Sequence, residues 1–395
     1  MIATLLYVAG GVIAAAGAGF ALSELLARAY IKKRDRWYVH QPFARRKSTI
    51  ATDVLPQLDE IATFEANADG ERGGPVPIDP SRVLRVVLAG GSAAECFLLD
   101  QGATTSAVME LELKRHPMVK RDAHVGNLAR SLITCRAINA ILGRVLPQLE
   151  SLDAVVLMVG ASDLVDWFEA KTPDSIHEAP FDLPRYVSEH PKGPFGWHPK
   201  RMALYQILRG LNMRVRRRIE LKERAGASIA KHRAARAATE NLITEVPDPT
   251  PMLEAFEKHL RALIETCRQS AKHVVIAQQA WLDRDLTDEE KARLWNFGQG
   301  SPYRGTPDAY YDVSVVGSLM ERVDEVAVRV ADDLGAPRVD LRESVPSDFL
   351  HYYDFLHHTP KGASLAGAAI ADAIAKLTKD ADAGTEAPTR LPRAA

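Results

Sequence analysis

The chain has 395 residues, 46% hydrophobic and 26% charged, which is ample apolar material for a full globular core. Its 50 basic and 51 acidic side chains leave a formal net charge of -1, so the overall balance gives no signal for a nucleic-acid partner or another polyanion. Cys96, Cys135 and Cys267 lie far apart with no CxxC pair, which argues against a zinc site and a disulfide framework and predicts three buried thiols.

From Ile2 to Leu26 the only side chain charged at neutral pH is Glu24, and the run is long enough to span a bilayer. No Lys or Arg precedes it, so residues 1–27 read as an uncleaved transmembrane anchor, with residues 2–26 in contact with lipid, rather than as a cleaved signal peptide. Arg28, Lys32, Lys33, Arg34 and Arg36 follow directly, and by the positive-inside tendency this flank favours the cytoplasmic side. Residues 28–80 read as a linker with short strands and tight turns, including FEANADGERGGPVPIDP from Phe64 to Pro80.

From Arg82 onward, short β-rich apolar runs ending at Gly90, Asn127, Gly160, Gln278 and Leu341 alternate with amphipathic stretches. Five strands separated by helices predict an α/β domain over residues 81–378, a mainly parallel sheet between two helical layers, with chemistry at the carboxyl ends of the strands. An insertion or lid at about 165–265 interrupts the pattern, with Pro- and aromatic-rich sequence from His190 to Pro199 and then a basic stretch that includes Arg209, Arg214 and Arg216. Interspersed Glu220 and Glu223 favour a solvated helical face there over contact with anionic lipid. Residues 379–395, poor in large apolar side chains, read as a disordered tail.

Ser92 follows the first strand in AGGSAAECFLL, where a strand-to-helix turn flanked by Gly90 and Gly91 points a hydroxyl out of the sheet. Near the C-terminus, Asp354 and His357 stand three apart in YYDFLHHTPKG, before a Pro-initiated helix. That spacing lets one turn present both an imidazole and the carboxylate that fixes its tautomer. His358 competes with His357 for the role.

Together these blocks resemble the SGNH, or GDSL-type, hydrolase family, which places its nucleophile in a Gly-Asp-Ser block after the first strand. Its Asp and His lie in an Asp-x-x-His block before the last helix, often followed by x-Thr-Pro-x-Gly. Here the matches are Ser92, Asp354, His357, Thr359, Pro360 and Gly362, with Gly91 in place of the family's aspartate. The resemblance implies a flavodoxin-like three-layer α/β/α sandwich with a five-stranded sheet, preceded by the transmembrane helix. It also implies an oxyanion hole built from Ser92, Ala129 and Ser162. The family's glycine has become Ala129 in the stretch from Asn127 to Thr134, and its Gly-x-Asn-Asp block reads Gly160, Ala161, Ser162, Asp163. NADGERG, from Asn67 to Gly73, is similar to a segment preceding the domain in membrane-anchored bacterial members.

The implied activity is a serine esterase or acylhydrolase, needing no metal or organic cofactor, on an ester such as an acyl group of cell-envelope carbohydrate or lipid. The analogy with anchored members favours the extracytoplasmic side, opposite to the basic flank. An O-acyltransferase using the same triad and a degenerate glycan- or partner-binding protein are the alternatives. A short serine hydroxyl in place of the asparagine amide predicts slow turnover.

Overall fold

In the computed structural model, the described residues are 2–33, 37–176, 178, 196–199, 202–205, 207–208, 223–240, 242–300, 305–307 and 309–383. The strands are β1 (Arg45–Ile50), β2 (Ile61–Glu65), β3 (Val83–Gly90), β4 (Asp122–Asn127), β5 (Leu152–Met158), β6 (Glu223–Ala225), β7 (Leu242–Ile243), β8 (Ala271–Gln278), β9 (Tyr310–Tyr311) and β10 (Arg338–Asp340). The helices are α1 (Ile2–Lys33), α2 (Ser92–Glu95), α3 (Thr105–Arg115), α4 (Cys135–Val145), α5 (Ala161–Glu169), α6 (Ala227–Ala237), α7 (Thr250–Arg268), α8 (Asp288–Lys291), α9 (Val313–Asp333), α10 (Leu341–Ser344) and α11 (Pro360–Ala383).

All five expected runs pair in parallel, in the order β10-β8-β5-β3-β4. Every residue of β3 and of β5 is buried, which is why both read as continuous apolar runs: a parallel sheet is covered on both faces. The covering helices are amphipathic. On α7 the buried positions Met252, Leu253, Phe256, Leu260, Leu263, Ile264 and Cys267 recur at helical spacing, and α7 packs against α4, α9 and β8. On the other side α3 packs against α11 and β4. Thr104 and Thr134 cap α3 and α4 by accepting from the amides of Ala107 and Ala137. The result is an α/β/α sandwich.

From β3 the chain passes first to β4 on one side and then to β5 on the other, so Gly90 and Met158 end side by side. This is the topological switch point, where a crevice opens beyond the carboxyl ends of the strands. Residues 37–82, between the apolar helix and β3, carry short strands and buried side chains. β1 and β2 pair antiparallel, β6 adds to β1 in parallel, and Glu71 and Arg72 are fully buried. The free thiols of Cys96, Cys135 and Cys267 are all buried.

Within α1, Gly10–Tyr30 is long and apolar enough to cross a membrane, and Val12, Phe20, Leu22, Leu25 and Leu26 face outward from it. Glu24 is nevertheless buried, because part of the insertion docks there: its carboxylate accepts from the amides of Ala203 (2.8 Å) and Leu204 (3.0 Å) and from Arg28 Nε (2.7 Å). Arg28 also donates to the Gly196 carbonyl (3.1 Å) and lies over the Trp197 ring. Of the basic stretch, residues 209–222 fall outside the described residues. Lys231, Arg233 and Arg236 belong to α6, where Arg236 is buried with its guanidinium on the carbonyls of Asn296 and Tyr311. α11 continues to Ala383, past Leu377, and the rest of the tail expected to be disordered lies outside the described residues.

Candidate active site

Ser92 opens α2, two residues after β3 ends, and α2 runs for only four residues. Gly90 permits the approach: a β-carbon there would stand 2.2 Å from the Met158 carbonyl oxygen at the end of β5. The turn is braced from behind. Arg72 donates to the carbonyls of Glu95 (2.7 Å), Cys96 (2.8 Å) and Leu99 (2.8 Å), and Asn127 Nδ2 donates to the Ala94 carbonyl (2.7 Å). Glu95 in turn accepts from the amide and hydroxyl of Ser131. The Asn67–Gly73 segment thus reaches into the nucleophile turn through Arg72, a role that its sequence alone did not disclose.

Asp354 and His357 share one turn. Asp354 Oδ1 accepts from the amides of Leu356 and His357, both at 2.9 Å, and the carboxylate oxygens lie 2.9 and 2.8 Å from His357 Nδ1. An ionised carboxylate only accepts, so Nδ1 carries the proton and Nε2 is left to accept from Ser92 Oγ, 2.7 Å away. The three residues singled out in the sequence therefore form one hydrogen-bonded chain. Two groups not foreseen complete the surroundings. Trp295 Nε1 donates to Asp354 Oδ2 (2.8 Å), and Arg233 of α6 donates to the carbonyls of Tyr353 (3.1 Å) and Val54. The Tyr353 ring stacks on the His357 imidazole, with centroids 5.5 Å apart.

Burial by itself would raise the Asp354 pKa, but the neighbouring His357 charge and the hydrogen bonds from His357 and Leu356 outweigh it, so the carboxyl stays below its ordinary range. For His357, burial lowers the pKa and the Asp354 charge and hydrogen bond raise it; the net direction is up. His358 is different. Burial pushes it down to about 4, its ring packs on Tyr352, and neither ring nitrogen has a hydrogen-bond partner among the described residues.

Of the three groups expected to form an oxyanion hole, two border the cleft and one does not. The Ser92 amide, at the first position of a helix, has no intrahelical acceptor. Ser162, at the start of α5, is half-buried, lines the same cleft as Ser92, and its hydroxyl has no hydrogen-bond partner among the described residues. Ala129 is fully buried, and its amide donates to Asn127 Oδ1 at 2.8 Å, which removes it as a donor. Three residues on, Leu132 adopts φ +60°, the left-handed region that favours glycine, borders the cleft beside Ser92, and has an amide with no acceptor among the described residues. The loop's glycine-like conformation sits at Leu132, not at Ala129. A leucine in the left-handed region carries no mark of that conformation in the sequence, as a glycine would.

Gly91 and Ser162 are physically coupled. A β-carbon at residue 91 would stand 2.3 Å from Ser162 Oγ, so the serine hydroxyl occupies the space that a side chain at 91 would need. Asp163 accepts from the Cys135 amide with both oxygens, each at 3.0 Å, at the start of α4; its pKa is nonetheless pushed up to about 7 by burial. It braces one helix against another and does not line the cleft.

No family model and no curated protein matches the chain. Among solved structures, the chain is similar to an acetylxylan esterase from Geobacillus stearothermophilus, at 12% identity and a TM-score of 0.40 over 73% of this chain and 93% of that one. A protein from Desulfitobacterium hafniense described as lipolytic and of the G-D-S-L family shows 11% identity and a TM-score of 0.38 over 73% and 99%. An α/β hydrolase from the metagenome of Lake Arreo, Spain, shows 15% identity and a TM-score of 0.38 over 73% and 94%. Likeness at this level transfers no residue role.

Proposed function

We propose that the chain is a serine esterase of the SGNH, or GDSL, type, held at a membrane by α1. The observation that carries this reading is the continuous hydrogen-bonded chain Ser92 Oγ–His357 Nε2–His357 Nδ1–Asp354 at the switch point of the sheet. In the first step Ser92 Oγ bonds to the ester carbonyl carbon and its proton passes to His357 Nε2. The imidazolium, stabilised by Asp354, then gives that proton to the departing alkoxide as the carbon–oxygen bond breaks, leaving an acyl-Ser92. Water repeats the sequence: His357 takes its proton, the hydroxide adds, and the acid departs as Ser92 regains its hydrogen. No metal or organic cofactor enters these steps. The amides of Ser92 and Leu132 and the hydroxyl of Ser162 are the donors we assign to the oxyanion, with Leu132 replacing Ala129.

The test is hydrolysis of p-nitrophenyl butyrate by the full chain in detergent. Ser92→Ala and His357→Ala are each expected to lower kcat by at least about 1,000-fold without loss of folded protein. Turnover by Ser92→Ala at the wild-type rate would remove Ser92 as nucleophile and with it the proposed mechanism. Acyl transfer to an added sugar in preference to water would redirect the second half of the cycle from hydrolysis to transfer.

A further inference from the structure

Ser92 stands where two lobes of one cleft meet. One lobe, of about 700 Å³, is walled by Thr134, Asp166, Glu169, Gln279, Gln299 and Thr306 together with small residues. The other, of about 360 Å³, is walled by Phe97, Leu98, Ile229, Trp295, Phe297 and Tyr353. Leu132, Val165, Pro307 and Leu356 border both. Apart from Ser92 and His357, the polar groups in the second lobe are few: Ser131 gives its hydroxyl to Glu95, Trp295 gives its indole N–H to Asp354, Asn296 Oδ1 is buried without a partner among the described residues, and Ser228, Glu169 and Tyr353 also border the lobe.

Resting on the esterase reading, we propose that the aromatic lobe is an acyl-chain site and that the polar lobe takes a neutral polyhydroxylated alcohol, so that the substrate is a medium-chain acyl ester of such an alcohol. A polyhydroxylated group in the aromatic lobe would leave most of its hydroxyls without partners, a costly burial, whereas an acyl chain there displaces water from apolar walls. In the polar lobe, the amides and hydroxyls of Gln279, Gln299, Thr134 and Thr306 match alcohol hydroxyls. In this lobe the exposed Asp166 carboxylate disfavours an anionic group. At about 30 Å³ for each water-sized group, the aromatic lobe has room for a chain of roughly ten carbons. The wall of the aromatic lobe depends on the insertion, since Ile229 and Ser228 come from α6.

The experiment compares kcat/KM for p-nitrophenyl esters from acetyl to palmitoyl, beside labelling by a fluorophosphonate probe. Each added methylene is expected to raise kcat/KM about fourfold until the lobe is filled, followed by a fall. Ser228→Trp, at an exposed position on the lobe wall, should cut the octanoyl-to-acetyl ratio at least about tenfold, and Ile229→Ala should move the optimum to longer chains. Octanoyl glucose should be hydrolysed at least about tenfold faster than octanoyl glucuronate. Labelled, active protein that prefers acetyl, or that ignores chain length or the glucuronate charge, would overturn this assignment and leave the esterase reading standing. Absence of both labelling and hydrolysis at every chain length would overturn the esterase reading, and this assignment with it.

Discussion

The coupling between Gly91 and Ser162 gives a sharp test of the oxyanion assignment. Gly91 has φ -84° and ψ -156°, extended backbone that alanine adopts freely, so Gly91→Ala meets no backbone objection. Among the described residues, its close neighbours at the new β-carbon are Ser162 Oγ at 2.3 Å and Ser162 Cβ at 3.5 Å. An oxygen cannot stay at 2.3 Å from a methyl carbon, so the Ser162 hydroxyl must swing away, while Cβ is already at ordinary contact. If that hydroxyl donates to the oxyanion, Gly91→Ala and Ser162→Ala should each lower kcat on p-nitrophenyl butyrate by about 100 to 1,000-fold, the usual effect of removing one donor. The double variant should be no slower than Ser162→Ala alone, because the group that the first substitution displaces is already gone. The overpacking cost of Gly91→Ala, about 1–3 kcal/mol in urea unfolding, should vanish in the double variant as well. Losses that multiply in the double variant, or a Ser162→Ala enzyme with wild-type kcat, would refute the reasoning.

Ser162→Asn, with Gly91 leaving space beside it, is expected to raise kcat because an amide reaches further and holds its donor fixed; unchanged turnover would mean that other groups complete the hole. The pH profile follows from His357. Its pKa lies above the ordinary 6.5 and only the neutral ring accepts the Ser92 proton, so kcat/KM should rise with pH through a midpoint above 6.5; a midpoint below that value would contradict the Asp354 pairing. Arg72→Met strands the buried carbonyls of Glu95 and Leu99, while the Cys96 carbonyl keeps the Leu99 amide, so urea unfolding should register a loss of more than about 2 kcal/mol, at about 1 kcal/mol or more for each buried unpaired carbonyl. A melting temperature within about 2 °C of wild type would show that the segment does not hold the nucleophile turn.

The sheet was legible because burial on both faces writes strands such as Val83–Gly90 and Leu152–Met158 as continuous apolar runs, and no other pattern imitates five of them alternating with helices. Ser92, Asp354 and His357 were legible because each stands beside local turn residues whose order along the chain matches the order of the elements. What escaped depends on contacts between distant segments. Trp295 reaches Asp354 across 59 residues from a loop without distinctive composition. Arg72 and Glu71 read as charged linker residues, yet they are buried because backbone carbonyls in one case, and Arg85 and His124 in the other, meet them there. Leu132 carries the left-handed turn that a glycine would have announced, and the register placed that role at Ala129, whose amide Asn127 had already taken. Glu24 signalled an interruption of the apolar helix, but its partners, the Ala203 and Leu204 amides, lie some 180 residues away.

The most direct measurement is the site of modification by a fluorophosphonate, read by peptide mass spectrometry on the full chain in detergent. A single adduct on the peptide containing Ser92, lost in Ser92→Ala and strongly slowed in His357→Ala, is the predicted result. No adduct, or an adduct elsewhere that persists in Ser92→Ala, would contradict the claim that Ser92, His357 and Asp354 act as one nucleophilic unit.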